Sequence, residues 1–368
     1  MRIRAAVLEE FGQPLVVQEV DLAEPQAGEV LVRLVACGVC HTDLYTASGA
    51  DPSGYSPTVL GHEGAGIVER VGEDVNSVAP GDQVVTLFSP QCRECVHCLS
   101  DRTNLCLAIR EQQNQGFLPD GTTRLARNDE PVRHFMGCST FAEYTVMPEI
   151  ALAKVSPDAP PEHACLFACG LSTGLGAAMN TAKVVGGSTC VVFGAGTVGL
   201  GVVAGCRLQG AERIVSVDLS PGRLELAKGQ GATDTLDGGP DVVDQILELT
   251  DGFGADYTFE ATGNVEVMRQ AVESARMGWG LCTVAGVAGK GEVLEVVPRF
   301  LITGRRVAGS SFGGVKGRDQ VPELVERALA GEIDVAPFVS HTIGLDDVNR
   351  GFELMEAQDG IRSVIDFS

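Results

Sequence analysis

The pattern of apolar and polar positions divides the chain into two parts of different character. Up to about residue 170, short apolar runs are interrupted by Gly and Pro, as in the segments EVLVRLVACGV, GAGIVERVG and GDQVVTLF. Helical periodicity is scarce there. This pattern predicts a β-rich domain of short strands.

From about residue 171 strands and helices alternate. TCVVFGA, RIVSVD, ADYTFEATG and GLCTVAGVAG are typical of strands, whereas GTVGLGVVAGCRLQG, SPGRLELAKGQGA and VEVMRQAVESAR are typical of helices. Such alternation predicts a doubly wound parallel sheet and an α/β fold. A helix (PELVERALAGE) and a final strand (RSVIDF) follow, and we expect them to rejoin the first domain. The predicted domains are residues 1–170 with 317–368, and residues 171–316.

Composition and charge restrict the partners of the protein. The 368 residues carry a net charge of −22 without a basic block, which argues against nucleic acid and anionic membranes as partners. The start, MRIRAAVLEEF, has acidic residues where a signal peptide needs an apolar run. Twelve cysteines without such a signal favour the reducing cytoplasm.

Residues 184–206 carry no charge and are long enough to span a bilayer. Several glycines in this stretch stand at motif offsets. We therefore predict a buried strand, a tight turn and a buried helix, and no membrane span.

Four cysteines lie in one polar stretch with the spacing C-x2-C-x2-C-x7-C: Cys92, Cys95, Cys98 and Cys106. Four thiolates from one loop suit tetrahedral zinc, and a site filled by protein ligands is structural rather than catalytic. Disulfides and an iron–sulfur cluster are the alternatives, although cysteines so close in a loop rarely pair well.

A dinucleotide motif follows the predicted strand CVVF and opens a helix; its glycines are Gly194, Gly196 and Gly199. They permit the tight turn and the close approach of a pyrophosphate. Asp218 ends the next strand, nineteen residues after Gly199, where a carboxylate accepts hydrogen bonds from ribose hydroxyls and favours NAD over NADP. Arg223 can stack or pair nearby. The alternative for Asp218 is a helix N-cap ahead of Pro221.

A second candidate metal set is scattered over distant segments and has no local signature: Cys40, His62 and Cys169. Two thiolates, one imidazole and an open position allow zinc to hold an alcohol oxygen. Asp43 and Glu63 can orient the histidine.

The segments GVCHTD, GHEGAGIVERVG, the cysteine loop, FACGLSTG and GAGTVG form one ordered series. This series resembles the zinc-containing medium-chain alcohol dehydrogenases over nearly the whole chain. The resemblance implies a GroES-like catalytic domain, a Rossmann domain that binds NAD, and two zinc ions per chain. The long stretch between Cys106 and Cys138 and the wording CHTDLYTASGADPSG are similar to the class III branch, the glutathione-dependent formaldehyde dehydrogenases. That branch implies a homodimer.

Carried over by position, the resemblance implies Cys40, His62 and Cys169 as catalytic zinc ligands, with Glu63 as an alternative ligand. Asp43 would pair with His62. Thr42 would take the alcohol proton. Tyr45 stands where many members have a histidine that ends the proton relay, and the class III branch lacks that histidine too.

The resemblance also implies contacts to cofactor and substrate. The pyrophosphate would lie against His41 and Arg362, the nicotinamide against Thr173, Val287 and Phe312, and the substrate against Phe88. Arg110 stands where class III enzymes anchor a carboxylate of the thiol conjugate, although a surface role is an equal alternative. Asp51 also matches, whereas Ser53 replaces an acidic residue that holds the amino end of glutathione.

Three functions remain open at this point. The first is a zinc- and NAD-dependent dehydrogenase that interconverts primary alcohols and aldehydes. The second is a thiol-dependent formaldehyde dehydrogenase that oxidises an S-hydroxymethyl adduct. The third is a nucleotide-binding scaffold without activity, which the presence of every expected catalytic residue disfavours.

Overall fold

The computed structural model describes residues 1–51 and 54–368, which form two compact units. The first unit contains Met1–Cys169, Lys316–Gly331 and Val335–Ser368. The second contains Gly170–Val315 and Glu332–Asp334.

The described residues of the first unit begin with ten strands and three short helices. The strands are β1 (Arg2–Leu8), β2 (Val16–Leu22), β3 (Glu29–Gly38), β4 (Thr58–Val59), β5 (Glu63–Val71), β6 (Gln83–Thr86), β7 (Leu125–Arg127), β8 (Glu130–His134), β9 (Tyr144–Pro148) and β10 (Leu152–Lys154). The helices are α1 (His41–Ala47), α2 (Arg110–Gln113) and α3 (Pro161–Ala164).

The second unit alternates helices and strands: α4 (Gly170–Gly176), β11 (Thr189–Phe193), α5 (Thr197–Leu208), β12 (Arg213–Asp218), α6 (Pro221–Gln230), β13 (Asp234–Asp237), α7 (Val242–Leu249), β14 (Tyr257–Glu260), α8 (Val265–Ser274), β15 (Leu281–Val284), α9 (Pro298–Ile302) and β16 (Arg306–Gly309). The chain then returns to the first unit with α10 (Gly317–Leu329), β17 (Val339–Ile343), α11 (Val348–Glu356) and β18 (Arg362–Asp366).

Two sheets organise the first unit. One is a closed barrel in the order β1-β2-β7-β8-β4, and the other runs β10-β6-β5-β3-β18-β17, with β9 paired to β3. Both faces of β3 are buried, because the barrel and the second sheet pack their apolar side chains around it. The ends of β3, β5 and β18 meet, since Gly38 pairs with both Glu63 and Val364. This junction positions the scattered metal set.

The second unit contains a wholly parallel sheet in the order β13-β12-β11-β14-β15-β16. Its central strand β11 has the sequence TCVVF and is buried after its first residue, as expected for a strand covered on both faces. The α/β fold class with a β-rich and a parallel-sheet unit is thereby confirmed.

Some elements differ from the expectation. Strand β13 and helix α7 had no counterpart in the predicted series. The sequence of β13, DTLD, has too few apolar residues to indicate a strand, and that of α7, VVDQILEL, follows it after a short turn. Helix α10 begins at Gly317, before PELV, and passes through Pro322. None of the helices formed by the described residues combines the length and apolarity that crossing a bilayer requires.

Candidate active site and nucleotide loop

Four residues of the first unit converge at the strand junction. Cys40 lies between β3 and α1, His62 and Glu63 lie at the start of β5, and Cys169 ends the segment after α3. One ligand atom from each lies within 4.8 Å of the others. Chain segments distant in sequence thus supply two sulfurs, one imidazole nitrogen and one carboxylate oxygen to one point.

The donor set fits zinc. His62 Nε2 and Glu63 Oε2 are buried and have no hydrogen-bond partner among the described residues. Because buried polar atoms are rarely left unpaired, these two atoms call for a ligand that the protein does not provide. Sulfur, nitrogen and carboxylate oxygen are the atoms that zinc prefers.

Asp43 fixes the orientation of the histidine. Its Oδ1 lies 3.1 Å from His62 Nδ1, and the carboxylate also accepts hydrogen bonds from the backbone N–H groups of Cys40 and Gly61, both at 3.0 Å. A carboxylate on Nδ1 selects the tautomer in which Nε2 is free to bind a metal.

The charges around the set are paired inside the protein. The hydrogen bond with the Cys169 thiol lowers the pKa of Cys40 and raises that of Cys169. Burial raises the pKa of Glu63 to about 8, although the Arg362 guanidinium opposes this change. Arg362 is buried too, and donates to Glu63 Oε1 at 3.0 Å and to the Val39 carbonyl at 2.8 Å.

Two aromatic rings pack against His62. Phe88 and Phe135 each pack edge-on against His62 with ring centroids 5.8 Å apart. Thr42 Oγ1 lies 3.8 Å from Cys40 Sγ, within reach of an oxygen bound near the sulfur ligands. The site therefore offers an apolar wall and one hydroxyl.

The loop of four cysteines forms a second ligand set in the first unit. Its four sulfurs lie within 4.8 Å of one another, and all twelve cysteines of the chain are free, so the disulfide alternative is wrong. Backbone N–H groups of Glu94 and Cys95 donate to Cys92 Sγ at 3.4 and 3.3 Å, and Cys98 N–H donates to Cys95 Sγ at 3.4 Å. Such bonds stabilise thiolates, as a closed four-thiolate zinc site requires.

The dinucleotide motif lies between β11 and α5 in the second unit. Gly194 has φ +92°, and a Cβ on Gly199 would lie 1.7 Å from the Gly194 carbonyl oxygen, so neither position accepts a side chain. Gly196 caps α5 and has open space beside its Cα. The helix N-terminus is thus exposed to an incoming anion.

Asp218 Oδ2 accepts a hydrogen bond from the Ala195 N–H at 2.7 Å and Oδ1 from the Ser220 N–H at 2.8 Å. Ser220 is the N-cap of α6, because its hydroxyl accepts from the Arg223 N–H. The N-cap alternative for Asp218 is therefore wrong, and its carboxylate lies beside the phosphate loop.

The other expected cofactor residues lie in both units. Thr173 and Phe312 are buried in the second unit, where Phe312 has φ +49°, while Val287 is 74% exposed in the loop after β15. His41 begins α1 and is exposed, and Arg362 lies in the metal set of the first unit.

Arg110 begins the short helix α2 and is exposed. Among the residues that the structure describes, Arg110 makes no ion pair. The Asp51 carboxylate accepts a hydrogen bond from the Thr46 hydroxyl at 2.8 Å. Ser53 lies outside the described residues.

Three residues near these sites were not anticipated: Phe135 against His62, Gln113 in α2, and Lys316 beside the cysteine loop. Phe135 and Lys316 belong to no motif. Gln113 stands three positions after Arg110, which places both on one helix face, but only if α2 is known to be helical.

Comparison with known proteins agrees with this geometry. The family model described as "Alcohol dehydrogenase GroES-like domain" matches residues 26–157, and the model described as "Zinc-binding dehydrogenase" matches residues 197–330. Proteins named S-(hydroxymethyl)glutathione dehydrogenase from Synechocystis sp. and Escherichia coli are each 51% identical to the chain, covering 100% and 99% of it and 100% of the relative.

Solved structures are similar over the whole length as well. An alcohol dehydrogenase zinc-binding domain protein from Burkholderia ambifaria has a TM-score of 0.94 at 34% identity, with 100% of this chain and 99% of that chain covered. Benzyl alcohol dehydrogenase from Acinetobacter calcoaceticus has a TM-score of 0.92 at 32% identity, with 100% of both chains covered.

Proposed function

The chain belongs to the zinc-dependent medium-chain alcohol dehydrogenases and is an NAD-dependent oxidoreductase of alcohols and aldehydes, and from this premise we propose that its substrate is an S-hydroxymethyl adduct of formaldehyde and a carboxylate-bearing thiol. The observation that carries the proposal is the full-length similarity, at 51% identity, to proteins named S-(hydroxymethyl)glutathione dehydrogenase.

Arg110 supports the choice of an anionic substrate. Its guanidinium is exposed and makes no ion pair among the described residues, so it is available to bind a carboxylate in a bidentate manner. In a chain with a net charge of −22, an exposed arginine without an ion pair among the described residues is a candidate for binding an anionic group.

In the proposed enzyme, the first unit is the catalytic domain and the second binds NAD. Zinc held by Cys40, His62 and Cys169 supplies a Lewis acid for the substrate oxygen, and NAD supplies the hydride acceptor. Thr42 accepts the hydroxyl proton and passes it toward solvent. Phe88 and Phe135 exclude water from the reacting carbon.

The remaining residues hold these groups in place. Asp43 orients His62, and Arg362 holds the Glu63 carboxyl group through a hydrogen bond to Oε1. One carboxyl oxygen of Glu63 lies within 4.8 Å of the other ligand atoms, so Glu63 can replace one of them at the metal. Gly194, Gly196 and Gly199 receive the pyrophosphate at the N-terminus of α5. The family resemblance supports His41 and Arg362 as further proposed contacts of the pyrophosphate. Thr173, Val287 and Phe312 lie against the nicotinamide.

Asp218 supports a preference for NAD over NADP. Its carboxylate lies beside the phosphate loop, where it accepts ribose hydroxyls and repels a 2′-phosphate, and Arg223 follows it on α6. The ratio of kcat/KM for NAD to that for NADP measures this preference. It should fall in Asp218→Ser, and an unchanged ratio contradicts the assignment.

The experiment that tests the substrate follows NADH formation with formaldehyde in the presence and absence of glutathione, against benzyl alcohol and octanol. We expect formaldehyde oxidation only when glutathione is present. Turnover of the free alcohols without a thiol effect contradicts the proposal, and a lack of turnover with every substrate favours a scaffold.

A dehydrogenase of free aromatic alcohols is the second candidate. It is supported by the likeness to benzyl alcohol dehydrogenase and by Ser53 in place of the expected acidic residue. Benzyl alcohol in the same assay decides between the two candidates.

The proposal includes a homodimer in the cytoplasm. Strand β16 is the edge of the parallel sheet, and Val307 on it is 41% exposed. Leu301 and Ile302 of the preceding helix α9 are 48% and 84% exposed. An exposed apolar edge strand is a template for pairing with a second copy. Sedimentation should give a dimer that Val307→Lys weakens, and an unaffected dimer contradicts this edge as the interface.

The proposed location is the cytoplasm. Cysteine ligands remain reduced there, and cell fractionation tests this location.

A further inference from the structure

We infer that Gln113 is a positioning residue that sets where Arg110 stands relative to the catalytic metal set, and thereby determines the preference for substrates with a carboxylate. The inference rests on the proposed role of Arg110. It concerns only residues of the first unit.

The side chain of Gln113 connects helix α2 to two loops. Its amide nitrogen donates to the Phe88 carbonyl at 2.7 Å and to the Met136 carbonyl at 2.5 Å. Both acceptors are backbone oxygens, so only the –NH₂ end of the amide can face them, and both of its hydrogens are used. These two hydrogen bonds therefore fix the orientation of the Gln113 side-chain amide.

These two loops carry the aromatic rings that pack against His62. The Phe88 ring and the Phe135 ring, which precedes Met136, pack edge-on against His62 from two directions. Gln113 therefore binds the backbone of both loops that carry the rings against His62. A shift of either loop backbone would also shift the Phe88 or Phe135 ring.

Arg110 lies three residues before Gln113, one helical turn away on the same face of α2. A helix of four residues does not hold its own position, because most helical stability comes from packing. None of the residues of α2 is buried. The position of Arg110 therefore depends on the side-chain and backbone contacts that tie α2 to the rest of the unit.

The backbone of Gln113 is braced as well. Its N–H donates to the Ile109 carbonyl at 2.8 Å, and its carbonyl accepts from the Tyr55 hydroxyl at 3.2 Å. The same hydroxyl lies 2.7 Å from the His134 carbonyl, two residues before Met136, so the two carbonyls share its one hydrogen. Tyr55 thus ties α2 to one of the two loops a second time, so removal of the Gln113 amide loosens the helix without releasing it.

A substrate with a hydroxyl at one end and a carboxylate at the other must reach the metal and Arg110 at once. The preference for it depends on the distance between the two, and a misplacement of about 1 Å can cost up to about 100-fold in rate. A neutral alcohol needs only the metal end. The two kinds of substrate should therefore respond differently when Gln113 is changed.

The test uses an ω-hydroxy acid and the primary alkanol of the same chain length, with NAD. Gln113→Met keeps the size of the side chain and removes both donors. We expect kcat/KM for the hydroxy acid to fall by about 10- to 100-fold, mostly through KM, with a much smaller change for the alkanol. Gln112→Met in the same helix is the matched control, and Gln113→Asn, which keeps the amide but is one methylene shorter, should be intermediate.

A double-mutant cycle with Arg110→Met separates positioning from a general loss of structure. If Gln113 acts through Arg110, the double variant loses no more selectivity for the hydroxy acid than Arg110→Met alone. Equal losses on both substrates, additive losses in the cycle, or a wild-type enzyme without preference for the hydroxy acid overturn the inference. If the preference and its dependence on Gln113 hold while glutathione has no effect on formaldehyde, only the proposed thiol substrate fails.

Discussion

The two metal-ligand sets of the first unit are built on different principles. Cys92, Cys95, Cys98 and Cys106 come from one loop, all four donor atoms are cysteine sulfurs, and backbone N–H groups of the same loop support them. The second set, which we propose as catalytic, contains Cys40, His62, Glu63 and Cys169 from distant elements and includes an imidazole and a carboxyl group.

The surroundings differ in the same sense. The proposed catalytic set is supported by two side chains that are themselves buried, those of Asp43 and Arg362. The cysteine loop is bordered by half-buried or exposed charged groups at the start of α10. Lys316, the N-cap of this helix, donates to the Cys98 and Ser100 carbonyls at 2.7 and 2.6 Å, and Asp319 pairs with Arg93. The four cysteines of one loop stabilise that loop. Cys40, His62, Glu63 and Cys169 come together only in the complete fold, which also supplies the buried surroundings on which their reactivity depends.

The largest expected effect is on turnover in Cys40→Ser. Loss of the Lewis acid removes several kcal/mol of transition-state stabilisation, which is roughly three orders of magnitude in rate. Serine is a good helix N-cap, so α1 should keep its start at this position. Steady-state kinetics, zinc content and calorimetry measure the result. Full activity, or a melting temperature that falls as far as in Cys98→Ser, would show that the two sets are not distinct.

The next effect is on stability in Cys98→Ser, the same substitution in the other set. A structural zinc contributes folding free energy, and a loss of about 3 kcal/mol in a unit of this size lowers the melting temperature by roughly 6–12 °C. Residual activity of the folded fraction should remain, with one zinc per chain. An unchanged melting temperature would count against a structural role.

The smallest effect is expected for Lys316→Met, which leaves both ligand sets intact. Two carbonyls of the cysteine loop lose their donor, which costs about 1–2 kcal/mol or roughly 2–8 °C in melting temperature. Zinc should also leave the loop faster in a chelator, at unchanged kcat. Lys290→Met is the control, because Lys290 is exposed in the second unit. Equal behaviour of the two variants would exclude the support by α10.

The contrast between the sets explains which parts could be predicted from the sequence. The cysteine loop and the phosphate loop are visible because their ligands lie within a few residues of each other, where spacing alone restricts the geometry. The sheet order within the second unit follows the alternation of strands and helices. For Cys40, His62 and Cys169, a resemblance was needed, because their spacing carries no geometric information.

Other features lay beyond the pattern. Helix α7 and strand β13 were missed because their apolar runs are short, and Asp218 could not be separated from an N-cap until the Ser220 hydroxyl was located. The Gln113 amide, the Phe135 ring and the Lys316 ammonium act on residues that are 25, 73 and 218 positions away.

The amino-acid sequence is sufficient for properties that depend on neighbours along the chain: the strand and helix periods, the turn at Gly194, and the four cysteines of one loop. Backbone sterics and metal geometry act over a few residues, so a short segment contains the whole constraint. The proposed catalytic set, the pairing of Glu63 with Arg362 and the hydrogen bonds of Gln113 to both loops that carry the rings against His62 arise from packing between segments. Their geometry depends on where β3, β5 and β18 meet, and burial there changes the pKa of Glu63 in a way that no local pattern encodes.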